Sequence, residues 1–215
     1  GWRAPFAATA AAGLLILYGI KSSLRETHTP HAQPDILRQL LSSVRQFTSN
    51  RQSLFGVLII TVTMIGIMSL VSGSVALIVE IYGYPVKYFG FIFAMTGIAI
   101  LIGSTINRRL LQRLDTMQMI GIGTVIVSIA SGQLLFMVWQ GHANFWWLWG
   151  NACLFMGATS FLLPNATALA LDPVPEIAGV AASIIGTIQC MAGAASVMMS
   201  SVLYTGTFIS IALIV

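Results

Sequence analysis

Charge is what this sequence lacks. Of its 215 residues ten are Lys or Arg and six are Asp or Glu, 7% in all, against roughly 25% in an ordinary soluble domain. With 57% of the residues apolar, the remainder cannot build a water-facing surface. A soluble globular enzyme is excluded on this ground. So are a disordered chain and a nucleic-acid-binding one, which need many more solvated or phosphate-seeking charges. Cysteine is scarce too: Cys153 and Cys190 both sit in apolar runs, where they read as small buried hydrophobes and carry no redox signal. Metal and cofactor sites are not expected. The pair His28 and His31 has no accompanying ligands and reads as solvated loop histidines. No glycine-rich phosphate loop is expected either, because the glycines lie within apolar runs without a strand–loop–helix context.

What the chain has instead is long stretches without a charge. The clearest is Leu54–Val79, followed by Tyr88–Ile106, Met117–Trp139, Phe145–Leu171 and Ile177–Tyr204. A membrane-crossing helix needs about 20 apolar residues, and each Leu, Ile, Val or Phe near the bilayer centre favours insertion by about 0.3–0.6 kcal/mol. Ala4–Ile20 is just long enough. It does not read as a signal peptide, because the basic segment follows it. Thr207–Val215 is apolar but short. The expectation is a piece of a longer protein, cut at both ends, with six spans and the start of a seventh. Buried helices of a soluble protein would show a polar face, and β-barrel strands would alternate in polarity about every residue over ten-residue segments. Neither pattern is present, so the fold class is an all-α membrane protein.

The basic residues orient it. If Lys21–Arg51 and the Asn107–Asp115 loop share one side, that side holds Lys21, Arg25, Arg38, Arg45, Arg51, Arg108, Arg109 and Arg113, leaving Arg3 and Lys87 opposite. The positive-inside rule makes the first side cytoplasmic. The outer loop near Gly141–Asn144 is flanked by Trp139, Trp146, Trp147 and Trp149, which read as an interfacial aromatic belt. Between Glu26 and Gln52 lies a polar linker with Pro30 and Pro34. It includes an amphipathic stretch (Ile36, Leu37, Leu40, Leu41, Val44, Phe47) suited to the membrane surface. The expected division is thus 1–25, 26–52 and 53–215.

No charged residue lies deep in a span, where an ion-coupled pump keeps one; Glu80 and Asp172, at span ends, are the nearest. Polar and small residues do form stripes. Gly66, Ser69, Gly73, Ala76 and Glu80 share one helical face with Ser72 beside it, and Asn151, Ala158, Asn165 and Asp172 recur every seven residues. Pro164 precedes Asn165 and frees a backbone carbonyl one turn earlier. Such groups in hydrocarbon must be satisfied. They read either as the wall of a substrate pathway or as inter-helix polar packing. Gly90, Gly97 and Gly103, and Gly179, Gly186 and Gly193, form small-residue faces that let helices approach closely. The sequon at Asn165 falls within a span and is not a glycan site.

Several segments together resemble the C-terminal half of a major facilitator superfamily transporter, in particular the bicyclomycin-resistance (Bcr/CflA) group of drug/proton antiporters. Gly1-Trp2-Arg3 with Phe6 resembles the opening of the sixth helix, and Arg25-Glu26-Thr27 its close. The segment from Phe89 to Ala94, then Gly103 to Asn107 with Arg108 and Arg109, resembles the eighth helix and its loop. The run from Leu163 to Leu171, with Pro164-Asn165-Ala166-Thr167 at its heart, resembles the end of the tenth. Ala178-Gly179, Ala181-Ala182-Ser183 and Gly186 resemble the eleventh. The loop after the eighth helix departs from the superfamily pattern in lacking its Asp-Arg and Gly-Arg elements. The resemblance implies half of a helical bundle, from helix six to the start of helix twelve. Helices seven and ten would line a cavity, and eight and eleven would face an N-terminal half. It also implies rocker-switch efflux of a drug-like molecule, coupled to H⁺ through a carboxylate in that other half. The partners expected are membrane lipid, the N-terminal half and a small-molecule substrate, in the cell inner membrane. The competing reading is a non-transporting membrane scaffold or sensor. An intramembrane enzyme is disfavoured, for want of a His/Asp/Glu cluster at membrane depth.

Overall fold

The computed structural model describes residues 3–23, 36–140 and 144–203. His28, His31, Pro30, Pro34, the segment Arg25-Glu26-Thr27 and the run Thr207–Val215 lie outside the described residues. The chain divides into two compact units, Gly1–Ile36 and Leu37–Val215. In the first, α1 (Ala4–Ser23) is a single helix. The second holds α2 (Ile36–Ser49, from Leu37 on), α3 (Arg51–Val75), α4 (Val86–Leu110), α5 (Thr116–Trp139), α6 (Phe145–Leu171) and α7 (Ala178–Leu203). Among the described residues six helices are long and apolar enough to cross a membrane: α1 and α3 to α7. The described residues contain no β-strand. This is an all-α, multi-pass membrane protein.

Helix starts follow local chemistry. The Asn50 side chain accepts from the amides of Gln52 and Ser53 at 2.9 and 3.2 Å and opens α3. Asp115 accepts from the Gln118 amide at 2.7 Å while the Gln118 side chain accepts from the Asp115 amide at 3.2 Å, a capping box that starts α5. Asn144 accepts from the Trp146 amide at 2.9 Å at the head of α6. At its far end α3 widens into a π-helical segment, Ala76–Ile81. Gly83 then stops it with φ +67°, and the Tyr84 amide donates to the Ile78 carbonyl at 3.0 Å.

α6 is the hub of the second unit. Over half of its length is buried, more than for any other span. α3 and α5 pack on it antiparallel and α4 parallel, whereas α7 packs mainly on α3. Parallel packing on α4 shows in a nearly constant register. The Trp149 Nε1 donates to the Ile92 carbonyl at 2.9 Å, the Ser160 hydroxyl to the Ile100 carbonyl at 3.1 Å, and Asn165 to Asn107 further along. Ser53 of α3 donates to the Ala170 carbonyl at 2.8 Å. These are polar groups of the span interiors finding partners across helices, as a bilayer requires.

Two findings refine the sequence reading. Trp139, Trp146 and Trp147 are exposed as an aromatic belt would be, but Trp149 is fully buried. Its place one turn into α6 turns it inward, where it stacks on Phe145 at 6.0 Å and holds α4 through its indole N–H. On the amphipathic α2, Leu37, Leu40, Leu41 and Val44 are exposed, while Phe47 is 1% exposed and joins the core of Val57, Ile60 and Ala166.

Close approach of α4 to α6 depends on Gly103, where an added Cβ would run into the Gly157 carbonyl. Gly103→Val should lower the unfolding temperature in detergent, at a cost of about 1–3 kcal/mol. Gly132→Ala, whose Cβ would meet nothing within 4 Å, should leave it unchanged or raised. Equal melting of the two variants would show that this contact does not limit stability.

Candidate functional site

The first polar stripe lies on α3 and its π-helical end. Gly66 is buried against the Phe155 ring of α6, 2.7 Å from where its Cβ would be. Ser69 is fully buried and receives a weak hydrogen bond from the Ser200 hydroxyl of α7 at 3.4 Å. One turn earlier the Ser196 hydroxyl donates to the Ile65 carbonyl at 2.7 Å. Ser72 is exposed and donates to the Ser69 carbonyl at 3.1 Å. Gly73 is buried, and Glu80 stands exposed on the π-helical segment. Beyond it, burial pushes the Tyr82 phenol above its ordinary range.

The second stripe, on α6, is drawn to its neighbours. The Asn151 amide donates to the Ala130 carbonyl of α5 at 2.8 Å. Its carbonyl oxygen is buried without a protein partner, beside a cavity of about 30 Å³ that Gly73 and Leu77 also line, large enough for one water. Ala158 is 2% exposed. The Asn165 amide donates to the Asn107 side-chain oxygen at 2.9 Å and to the Phe161 carbonyl at 2.7 Å. Pro164 is exposed, as is Asp172, 3.4 Å from the Gln52 amide nitrogen. Asn151 and Asn165 therefore tie α6 to α5 and α4, which is inter-helix polar packing. Sequence reasoning missed Asn107, Ser196 and Ser200. Asn107 lies one turn past Gly103 on the same face, a signal hidden by the arginines that follow it.

The glycine faces divide. Gly103 and Gly193 are buried, and a Cβ added at Gly193 would sit 3.0 Å from the Met68 side chain. Gly90, Gly97 and Gly179 are exposed and Gly186 half-buried, and a Cβ on any of the four would meet nothing within 4 Å. One glycine of each small-residue face thus packs inside the unit, and two are left open. Among the described residues no group of His, Cys, Asp and Glu could hold a metal ion.

Membrane-length helices joined by interior hydrogen bonds, with open small-residue faces, define a polytopic helical bundle of the kind that transporters are built from. Comparison with known proteins makes this specific. The family model described as the Major Facilitator Superfamily matches residues 1–197, and the chain belongs to that family of transporters. It is also similar to a bicyclomycin resistance protein homolog of Haemophilus influenzae (strain ATCC 51907 / DSM 11121 / KW20 / Rd). The two are 30% identical over 129 residues, covering 60% of this chain and 32% of the relative. The matched stretch therefore spans about a third of the relative's length.

The Asn165–Asn107 bond invites a double-mutant cycle. Asn165→Leu and Asn107→Leu should each destabilise the protein in detergent, and the pair together by less than the sum. The coupling should be about 0.6 kcal/mol and no more than about 1.7, the range for hydrogen bonds between membrane helices. Strictly additive melting shifts would remove the bond from the account of α4–α6 packing.

Proposed function

We propose that this chain forms the C-terminal part of a secondary active transporter that exports drug-like small molecules in exchange for protons, by alternating access of two helical bundles. The chain's family and the name of its Haemophilus influenzae relative support this reading. The observation that carries it is the pair of open glycine faces: Gly90 and Gly97 on α4, Gly179 and Gly186 on α7. A bundle with such faces can be approached closely by a second one, and an N-terminal half is the natural occupant. The proposed location is the inner membrane, with the Arg108–Arg113 loop on the cytoplasmic side.

Of the proposed pathway residues, Ser72, Glu80, Pro164 and Asp172 have exposed side chains, while Ser69 and Gly73 shape the wall behind them. Asn151 and Asn165 act as braces that hold the wall in place. Proton coupling falls to a carboxylate of the other half, because no charged residue of this chain lies deep in a span.

Two arms test this. The full-length protein, expressed in drug-hypersensitive cells, should extrude a cationic dye, and a protonophore should stop it. Gly97→Phe and Gly186→Phe should each cut extrusion several-fold, with membrane insertion and detergent melting unchanged, since a Cβ at either position meets nothing within 4 Å in this unit. Extrusion that never exceeds the empty-vector background would favour a scaffold or sensor. Normal extrusion by both phenylalanine variants would remove the glycine faces from the mechanism.

A further inference from the structure

α4 and α5 both pack on α6 but hardly touch one another. The gap between them is a groove of about 580 Å³ floored by α6, with Ile102 and Ile106 on one wall, Ile122 and Ile126 on the other, and Gly150 and Gly157 beneath. Every residue lining it is apolar, glycine or Cys153. Along α4 the lining runs from Ala99 to Leu110, a rise of about 16 Å at about 1.5 Å per residue. That is about half of a hydrocarbon core some 30 Å thick, the depth of one leaflet.

Leu110 also borders a second, polar recess, lined by Arg108, Arg109, Gln112 and Arg113. The three arginines cluster because α4 ends in a tight turn, with the amides of Gln112 and Arg113 donating to the carbonyls of Arg109 and Leu110. None of the three has an ion-pair or side-chain hydrogen-bond partner among the described residues. The one carboxylate of the turn, Asp115, is engaged in capping α5. A positive-inside signal accounts for the presence of arginines on this side. It does not account for an apolar groove one leaflet deep that ends on them.

We propose that the α4–α5 groove and the arginines at its mouth form a binding site for an anionic glycerophospholipid, with an acyl chain along the groove and the phosphate on Arg108, Arg109 and Arg113. Apolar walls select a hydrocarbon chain, and three guanidinium groups select a negative headgroup by charge and by paired N–H donors. Basic recesses between membrane helices at the cytoplasmic face suit such lipids. The site is independent of the transport reading, since a scaffold with this groove would bind the same lipid.

Native mass spectrometry of the full-length protein in detergent, titrated with phosphatidylglycerol or phosphatidylcholine of identical chains, tests this. Phosphatidylglycerol should bind about tenfold more tightly, a modest share of what three surface arginines can supply. The combined R108Q, R109Q and R113Q variant should bind the two lipids equally. Ile122→Trp, which narrows the groove, should weaken both while keeping the preference. Glycerol phosphate alone should not compete. Equal affinity of the unaltered protein for the two lipids overturns the proposal, as does a preference that survives the triple variant or full competition by glycerol phosphate. Protein that carries no lipid, or dimerises through α4 and α5 instead, overturns it as well.

Discussion

The polar groups of α6 cannot reach water inside a bilayer, and the packing of its neighbours follows from that. Asn151, Ser160 and Asn165 each need a partner in a medium that supplies none, and each finds it on another helix: Ala130 of α5, Ile100 of α4 and Asn107 of α4. The buried indole of Trp149 makes a fourth such link at the opposite end of α4. Lipid tails are as apolar as leucine, so burial alone gives membrane helices little reason to associate. These bonds supply direction and register. Small residues supply the distance at which the bonds can form: Gly103 against Gly157, and Gly56 against Ala166 and Ala170.

The same economy of side chains explains why one glycine pattern serves two ends. On α4 the residues Gly90, Gly97 and Gly103 do not recur at one strict interval, and the structure separates them. Gly103 rotates inward to meet α6, while Gly90 and Gly97 keep an open face. On α7 the division falls between Gly186 and Gly193, where Met68 of α3 closes over the helix. A bundle arranged in this way has finished inner contacts and unfinished outer ones. That would suit the alternating access proposed above, in which one bundle is rigid in itself and moves against another.

The fold was legible to a large extent. Five charge-free stretches from Leu54 to Tyr204 correspond to α3 to α7, because burial in hydrocarbon leaves a signal in composition that tertiary context does not erase. Helix starts at Asn50, Asp115 and Asn144 obey local capping chemistry. Less legible was the site. The spacing of Asn151 and Asn165 marks a common face, but it carries no information on which helix that face meets. Trp149 shares its composition with the belt tryptophans, and only its rotation about the α6 axis makes it a core residue.

By itself, then, the sequence determined the medium, the place of each long apolar helix among the described residues and the family, because each of these is written in short-range composition and motif. Tertiary structure alone decided that α6 is the hub and that Asn165 is braced by Asn107, 58 residues away. It also decided that α4 and α5 part to leave a groove ending on three arginines. The reason is physical. Insertion energy sums over residues one at a time and can be read along a chain. Helix packing depends on which side of each cylinder meets which, and that is settled only when the polar groups of all of them are satisfied at once.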